Sequence, residues 1–128
     1  MSTWTSDELD RIGGAEELQL ASLRPDGTLR GPVTIWVVRH GDAVYVRPVN
    51  GRTGRWFRGA LDRHEGHITA GGVDKDVAFV EVDGVNDEVD EAYRSKYGGR
   101  YPASFIDAVI GPEPRAATLE LVPCSTDR

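Results

Sequence analysis

Tyr45-Val46-Arg47-Pro48-Val49-Asn50-Gly51-Arg52-Thr53-Gly54-Arg55-Trp56-Phe57-Arg58 carries an alternating strand into a glycine-containing turn and then into the start of a helix. Four of its fourteen residues are arginines, in a chain whose formal charge is -6. Residues 45 to 64 hold five arginines against Asp62 alone, so this window is net +4 while the remainder is -10. Like charges this close repel unless an anion intervenes, and a helix N-terminus adds unpaired N–H groups and a positive dipole end. The stretch therefore predicts a strand, an anion-binding turn and a helix acting as one unit. A solvated helix face, with Arg58 and Asp62 as an i,i+4 pair, is the plainer reading.

Outward from this stretch, alternation predicts strands over Glu17–Leu23, Thr28–Arg39, Ala43–Arg47, His67–Gly71, Val77–Val82 and Ala116–Val122. In Thr28–Arg39, Val33, Ile35 and Val37 fall on one face and Thr34, Trp36 and Val38 on the other, the pattern of a central strand covered on both sides. Pro25-Asp26-Gly27 and His40-Gly41-Asp42 supply turns, and Val73–Asp76 is expected to connect the fourth and fifth strands.

Helices are expected over Ser6–Ile12, from Thr53 as N-cap to Asp62, over Asn86–Tyr97, and over Ala103–Ile110 with Pro102 at the first position. Thr5-x-x-Glu8 is a capping box, with Trp4 placed to staple onto Leu9. Tyr93 and Tyr97, a turn apart, are expected to anchor their helix, and the acidic run Asp87, Glu88, Asp90, Glu91 to form a solvated face. At 128 residues and 39% hydrophobic, a single domain over 1–128 is expected. The economical architecture is α+β and mainly β: a six-stranded antiparallel barrel with peripheral helices.

Composition removes several classes of function. No run approaches the ~20 apolar residues of a membrane helix, and the acidic start lacks the features of a signal peptide, so a cytoplasmic protein without a membrane partner is expected. A pI near 5.0 argues against nucleic acid as a partner. Cys124 is the one cysteine, which excludes an internal disulfide. His64 and His67 bracket Gly66 at an expected helix-to-strand break, so no metal site is expected. His67 could instead give a proton to a substrate, its ordinary pKa lying near ~6.5, although an ordinary surface histidine is the commoner case.

Read together, Val44–Phe57, Trp36-Val37-Val38-Arg39, Gly71-Gly72-Val73 and Ala92-Tyr93-Arg94-Ser95-Lys96-Tyr97 give the chain a resemblance to the pyridoxamine 5'-phosphate oxidase-like split-β-barrel superfamily. That superfamily also contains the deazaflavin-dependent nitroreductase-like proteins, and the resemblance is to a small, uncharacterised branch. In it, Gly51-Arg52-Thr53-Gly54 occupies the place of the turn that holds a flavin phosphate. Arg52 matches the family's pattern; Gly51 and Thr53 depart from it, as do Val33 and Thr34, where the family carries a strand arginine.

The resemblance implies a small flavin- or deazaflavin-dependent oxidoreductase acting on a small organic substrate, with either FMN or a deazaflavin as cofactor. Arg47, Arg52, Thr53, Gly54 and Arg55 would grip its anionic part, with Arg39 at the end of the preceding strand. Trp36 would wall its ring, His67 would be the proton donor, and the protein would be a homodimer with its ligand between subunits. Two other functions fit the same residues: a cofactor-free pocket for an anionic metabolite, as a binding module or a lyase or isomerase, and an interaction domain whose arginines meet acidic side chains across a dimer interface.

Overall fold

The computed structural model describes residues 3–124, and in it the strands number seven rather than six. These are β1 (Leu18–Ser22), β2 (Val33–Ile35), β3 (Val38–His40), β4 (Ala43–Val46), β5 (Glu65–Ala70), β6 (Val73–Glu81) and β7 (Leu119–Pro123). All pairings are antiparallel, in the order β2-β1-β5-β6-β7-β4-β3.

The extra strand corrects the expectation for Thr28–Arg39. Instead of one central strand, this run makes the two outermost ones, β2 and β3, which only Trp36 and Val37 separate. A sheet whose end strands are consecutive in the chain must curl until its edges meet, and that curl makes the half-barrel. The alternation that suggested two covered faces reflects the crossing. Val37 is wholly buried in the barrel core, while Trp36 leaves the sheet to stack on Tyr97 with ring centroids 4.0 Å apart and planes within 4°.

At the crossing the Val37 peptide has no strand partner, and buried backbone groups need one. Val37 N–H donates to the Tyr97 hydroxyl at 3.2 Å, and Lys96 Nζ donates to Val37 O at 2.7 Å. The Tyr97 hydroxyl donates onward to Glu16 O at 2.8 Å. Those two side chains come from a single π-helical turn, Arg94–Gly98, that extends α3 (Asn86–Tyr93).

The remaining helices are α1 (Ser6–Gly14), α2 (Arg55–Arg63), α4 (Ala103–Ile110) and the short α5 (Pro112–Arg115), which the sequence reading lacked. α1 has the expected capping box between Thr5 and Glu8, and Trp4 and Leu9 join the same core cluster. α2 starts later than expected. A 3-10 turn over Gly51–Thr53 precedes it, Gly54 is its N-cap, and the Thr53 hydroxyl donates to Asn50 O at 3.0 Å instead of capping. Pro102 is likewise the N-cap of α4 rather than its first residue.

The β5–β6 connection is Gly71-Gly72, with φ of +57° and +86°, and not Val73–Asp76, which lies within β6. Two consecutive positive φ values are what a tight two-residue hairpin requires and glycine supplies. Gly66 is inside β5, and the helix-to-strand break is His64, at φ +57°.

Apolar side chains are buried on both sides of the sheet. Inside the barrel pack Leu18, Leu20, Val44, Val46, Ile68, Phe79 and Leu121, closed at one end by Leu9 and Ile12 of α1 and flanked by Phe57 of α2. Outside it, Val38 and Tyr45 meet Val89, Tyr93, Tyr97, Ile106 and Val109 of the α3–α4 layer. Burying each of the large side chains contributes about 1.5–3 kcal/mol, so both layers hold the sheet in its curl. Tyr93 and Tyr97 are wholly buried, the anchoring role expected for them.

Candidate cofactor cleft

A cleft of about 1020 Å³ opens where the β1–β2 hairpin, the segment after β4 and α4 come together. One wall is apolar β-sheet, with Leu20, Val33 and Ile35; the opposite wall is Phe105, Ala108 and Val109 of α4. Trp36 and Trp56 also line it. Trp36 is held edge and face by Tyr97 and by Tyr101, whose ring centroid lies 4.8 Å away at 53°. Pro48, Val49, Asn50, Gly54 and Arg55 bring the β4-to-α2 unit to the mouth.

Of the expected site residues, Trp36, Arg47, Gly54 and Arg55 line this cleft. Arg47 does so with a side chain that is already committed. It is 2% exposed, its Nε donates to Thr118 Oγ1 at 2.9 Å, and its terminal nitrogens reach Asp90 at 2.5 Å, Val109 O and Asn86. Asp90 is 3% exposed and also takes Arg115 at 2.5 Å, so it departs from the solvated acidic face, which Asp87, Glu88 and Glu91 do form. Burying such charges is expensive unless each is paired and hydrogen-bonded, and here each is.

Arg52, Thr53, Arg39 and His67 are not among the residues lining the cleft. Arg52 pairs with Glu81 at 2.9 Å, donates to Ala116 O at 3.3 Å and lies 5.2 Å over the Phe57 ring. Arg39 pairs with Asp10 at 2.8 Å in a second cleft. His67 stands on the outer face of β5 between Asp76, at 2.7 Å, and Asp74. Burial works to lower the pKa of His67, but its hydrogen bonds to Asp76 and Asp74 outweigh that and raise it above 6.5. Asp62, expected as a partner for Arg58, pairs instead with Arg30 at 2.7 Å.

Sequence reasoning missed Arg24, Arg30 and Phe105 as cleft residues. The two arginines bracket the Pro25-Asp26-Gly27 turn, and the hairpin carries them to the cleft. Arg30 N–H donates to Ser22 O at 2.9 Å, and its guanidinium donates to Leu23 O at 2.8 Å and Gly59 O at 3.3 Å. Cations flanking a hairpin turn three residues from Val33 were the signal. Phe105 was legible only as part of an apolar helix, yet it is 52% exposed, as Val49 is at 55%, both at the mouth.

Carboxylates outnumber cations in this chain, and most described arginines have one within 4.0 Å. The exceptions among the described residues are Arg24, Arg55 and Arg58. Arg24 and Arg55 line the cleft; Arg55 and Arg58 line a contiguous groove of about 510 Å³ that also includes Arg30, Thr53 and Asp62. The start of α2 lies there as well, with no side chain capping it. The arrangement joins an apolar, aromatic-walled slot to a cationic end. A flat heterocycle bearing an anionic tail fits both parts, and the volume is at the upper end of the roughly 300–1,000 Å³ of small-molecule sites.

The curled antiparallel sheet with its outer helix layer is a split β-barrel fold. Residues 8–121 match the model of a family described as "Uncharacterized protein conserved in bacteria (DUF2255)", and the chain belongs to that family. No curated protein matches the sequence.

Several solved structures have a similar fold, three of which follow. HutZ, the heme storage protein from Vibrio cholerae, aligns with a TM-score of 0.60 at 12% identity over 97% of this chain and 92% of its own. An F420 reductase aligns with a TM-score of 0.56 at 16% identity over 91% and 92%. A pyridoxamine 5'-phosphate oxidase-related, FMN-binding protein from Nostoc punctiforme aligns with a TM-score of 0.51 at 12% identity over 96% and 81%. Among the described residues no helix is long and apolar enough to cross a membrane.

Proposed function

We propose that this protein is a small flavin- or deazaflavin-dependent oxidoreductase whose cofactor occupies the cleft between the β1–β2 hairpin and α4. The observation that carries the reading is that the described arginines without carboxylate partners, Arg24, Arg55 and Arg58, gather at this cleft and its groove. The cofactor, when bound, supplies hydride transfer. The chain's part is to hold it: Arg55 and the start of α2 take the anionic group, Gly54 lets that group approach the backbone, and Trp36 stacks against the ring. Arg47 acts as a buried strut beneath the site rather than as an anion ligand.

A deazaflavin is preferred over FMN. Val33 or Thr34, and Thr53, stand where the FMN-binding pattern has two cations, which weakens a compact phosphate site, whereas Arg55 and Arg58 line a groove suited to an extended anionic tail. Phe105 and Val49, exposed at the cleft mouth, are proposed to be covered by a second copy in a homodimer. Sedimentation at micromolar concentration reads this directly; a monomer removes the shared site.

One observation favours a second reading. Among the described lining residues Glu17 is the one carboxylate and there is no histidine, a set better suited to holding an anion than to moving protons. The second reading is therefore a cofactor-free pocket for an anionic metabolite. The absorbance spectrum of the purified protein, followed by fluorescence titration with FMN and with a deazaflavin, separates the readings. Tighter deazaflavin binding is expected; tighter FMN binding reverses the cofactor preference, and binding of neither leaves the anion pocket.

A further inference from the structure

The chain has thirteen arginines and only two lysines, Lys75 and Lys96. Lys75 is spent on an ion pair with Glu8 at 2.7 Å. Lys96 has no carboxylate partner among the described residues; its Nζ donates to Val37 O and lies 5.1 Å over the Tyr97 ring. It lines a second cleft of about 620 Å³ between α1, β3 and α3, on none of the walls of the cofactor cleft. Arg39 lines the same cleft, with Nε on Gly41 O and one terminal nitrogen on Asp10; its other terminal nitrogen has no partner among the described residues.

We propose that Lys96 is a covalent capture site for small carbonyl compounds bearing a carboxylate, with Arg39 holding the carboxylate. A lysine is nucleophilic when it is desolvated or set beside another cation. Both conditions hold here. Burial, and after it the charge of Arg100, lower the Lys96 pKa from 10.5 to about 8, with Glu16 opposing. The other titratable groups on the cleft are Asp10 of α1, Arg39 and His40 of β3, and Glu88 and Glu91 of α3.

In the neutral amine one N–H still donates to Val37 O, which leaves the lone pair for the carbonyl carbon. The lone pair forms the C–N bond, the carbonyl π pair moves to oxygen, and a proton passes from nitrogen to that oxygen to give a carbinolamine. Loss of that oxygen as water yields the imine. One water is released and nothing is oxidised or reduced.

The test uses the full chain, glyoxylate and cyanoborohydride, with peptide mapping by mass spectrometry. Lys75 is the internal control. The adduct is expected on Lys96 at least about tenfold faster than on Lys75, because a lower pKa exposes more neutral amine near pH 7.5. Its rate should rise with pH to a midpoint near 8. Arg39→Ala should slow glyoxylate about tenfold, the loss of one charge-assisted contact, and leave propionaldehyde unchanged. Labelling of Lys75 as fast as Lys96, or an equal effect of Arg39→Ala on both aldehydes, overturns the proposal. The wild-type comparison decides the first point without any variant having to fold.

Discussion

Arg47 and Asp90 form an ion pair of 2.5 Å with side chains 0% and 5% exposed, joining β4's end to α3 at the wall of the candidate cleft that Arg47 lines. Thr118 and Asn86 complete the network, and Arg115 ties Asp90 and Asp87 to α5. This pair fixes the α3–α4 layer against the barrel. Arg47→Ala leaves Asp90 buried with half its partners gone, and breaking a buried pair costs about 3–5 kcal/mol. Chemical denaturation should show that loss in the unligated protein. A variant as stable as wild type would mean that Arg47 is free to serve a ligand.

Arg55→Ala and Arg58→Ala should behave in the opposite way. Neither guanidinium has a carboxylate partner among the described residues, so stability should stay within about 0.5 kcal/mol of wild type. Affinity for an anionic ligand should fall by about 1.5–3 kcal/mol for Arg55, the worth of a hydrogen bond to a charged group. Titration calorimetry with the ligand found by fluorescence reads both. Arg52→Ala, paired with Glu81 on the surface, is expected to change affinity little and stability by no more than about 1 kcal/mol.

Tyr97→Phe tests the barrel crossing. The hydroxyl bridges Val37 N–H, between β2 and β3, and Glu16 O, just ahead of β1. Its removal leaves a buried N–H without a partner, at a cost of about 1–3 kcal/mol. Hydrogen exchange at the Val37 amide should accelerate more than exchange at Ile68, in the middle of β5.

His67 makes one part of the stability depend on pH. Its folded-state pKa is raised, so the stabilisation is fully present below about 6.5, the unfolded value, and is lost as pH rises through the higher folded value. The melting temperature of wild type should therefore fall between the acid and alkaline sides of that window by more than that of His67→Gln. Parallel pH profiles for the two proteins would show that the Asp74–His67–Asp76 bridge contributes nothing.

Gly66→Ala should be among the most damaging small substitutions in the sheet. A Cβ there meets Ala21 O at 2.3 Å and the tip of the Phe79 ring at 2.9 Å, inside the β1–β5 pairing. Overpacking of this kind costs about 1–3 kcal/mol, seen as a lowered denaturation midpoint with an unchanged slope.

Local order was legible in the sequence wherever one short stretch determines its own structure. The Thr5–Glu8 capping box, the β1 alternation and the strand-turn-helix order of residues 45–58 need only near neighbours, and the superfamily resemblance rested on such stretches. Tertiary structure decided the rest. Alternation reports which faces are covered but not where a strand ends, so Thr28–Arg39 read as one strand until the closing sheet divided it at Trp36-Val37. Composition located an excess of arginines but not their partners. Asp90, Glu81 and Asp10 are more than 25 residues from Arg47, Arg52 and Arg39 respectively, so which cations remained for a ligand was settled only when the barrel brought these distant carboxylates beside them and left Arg24, Arg55 and Arg58 without one.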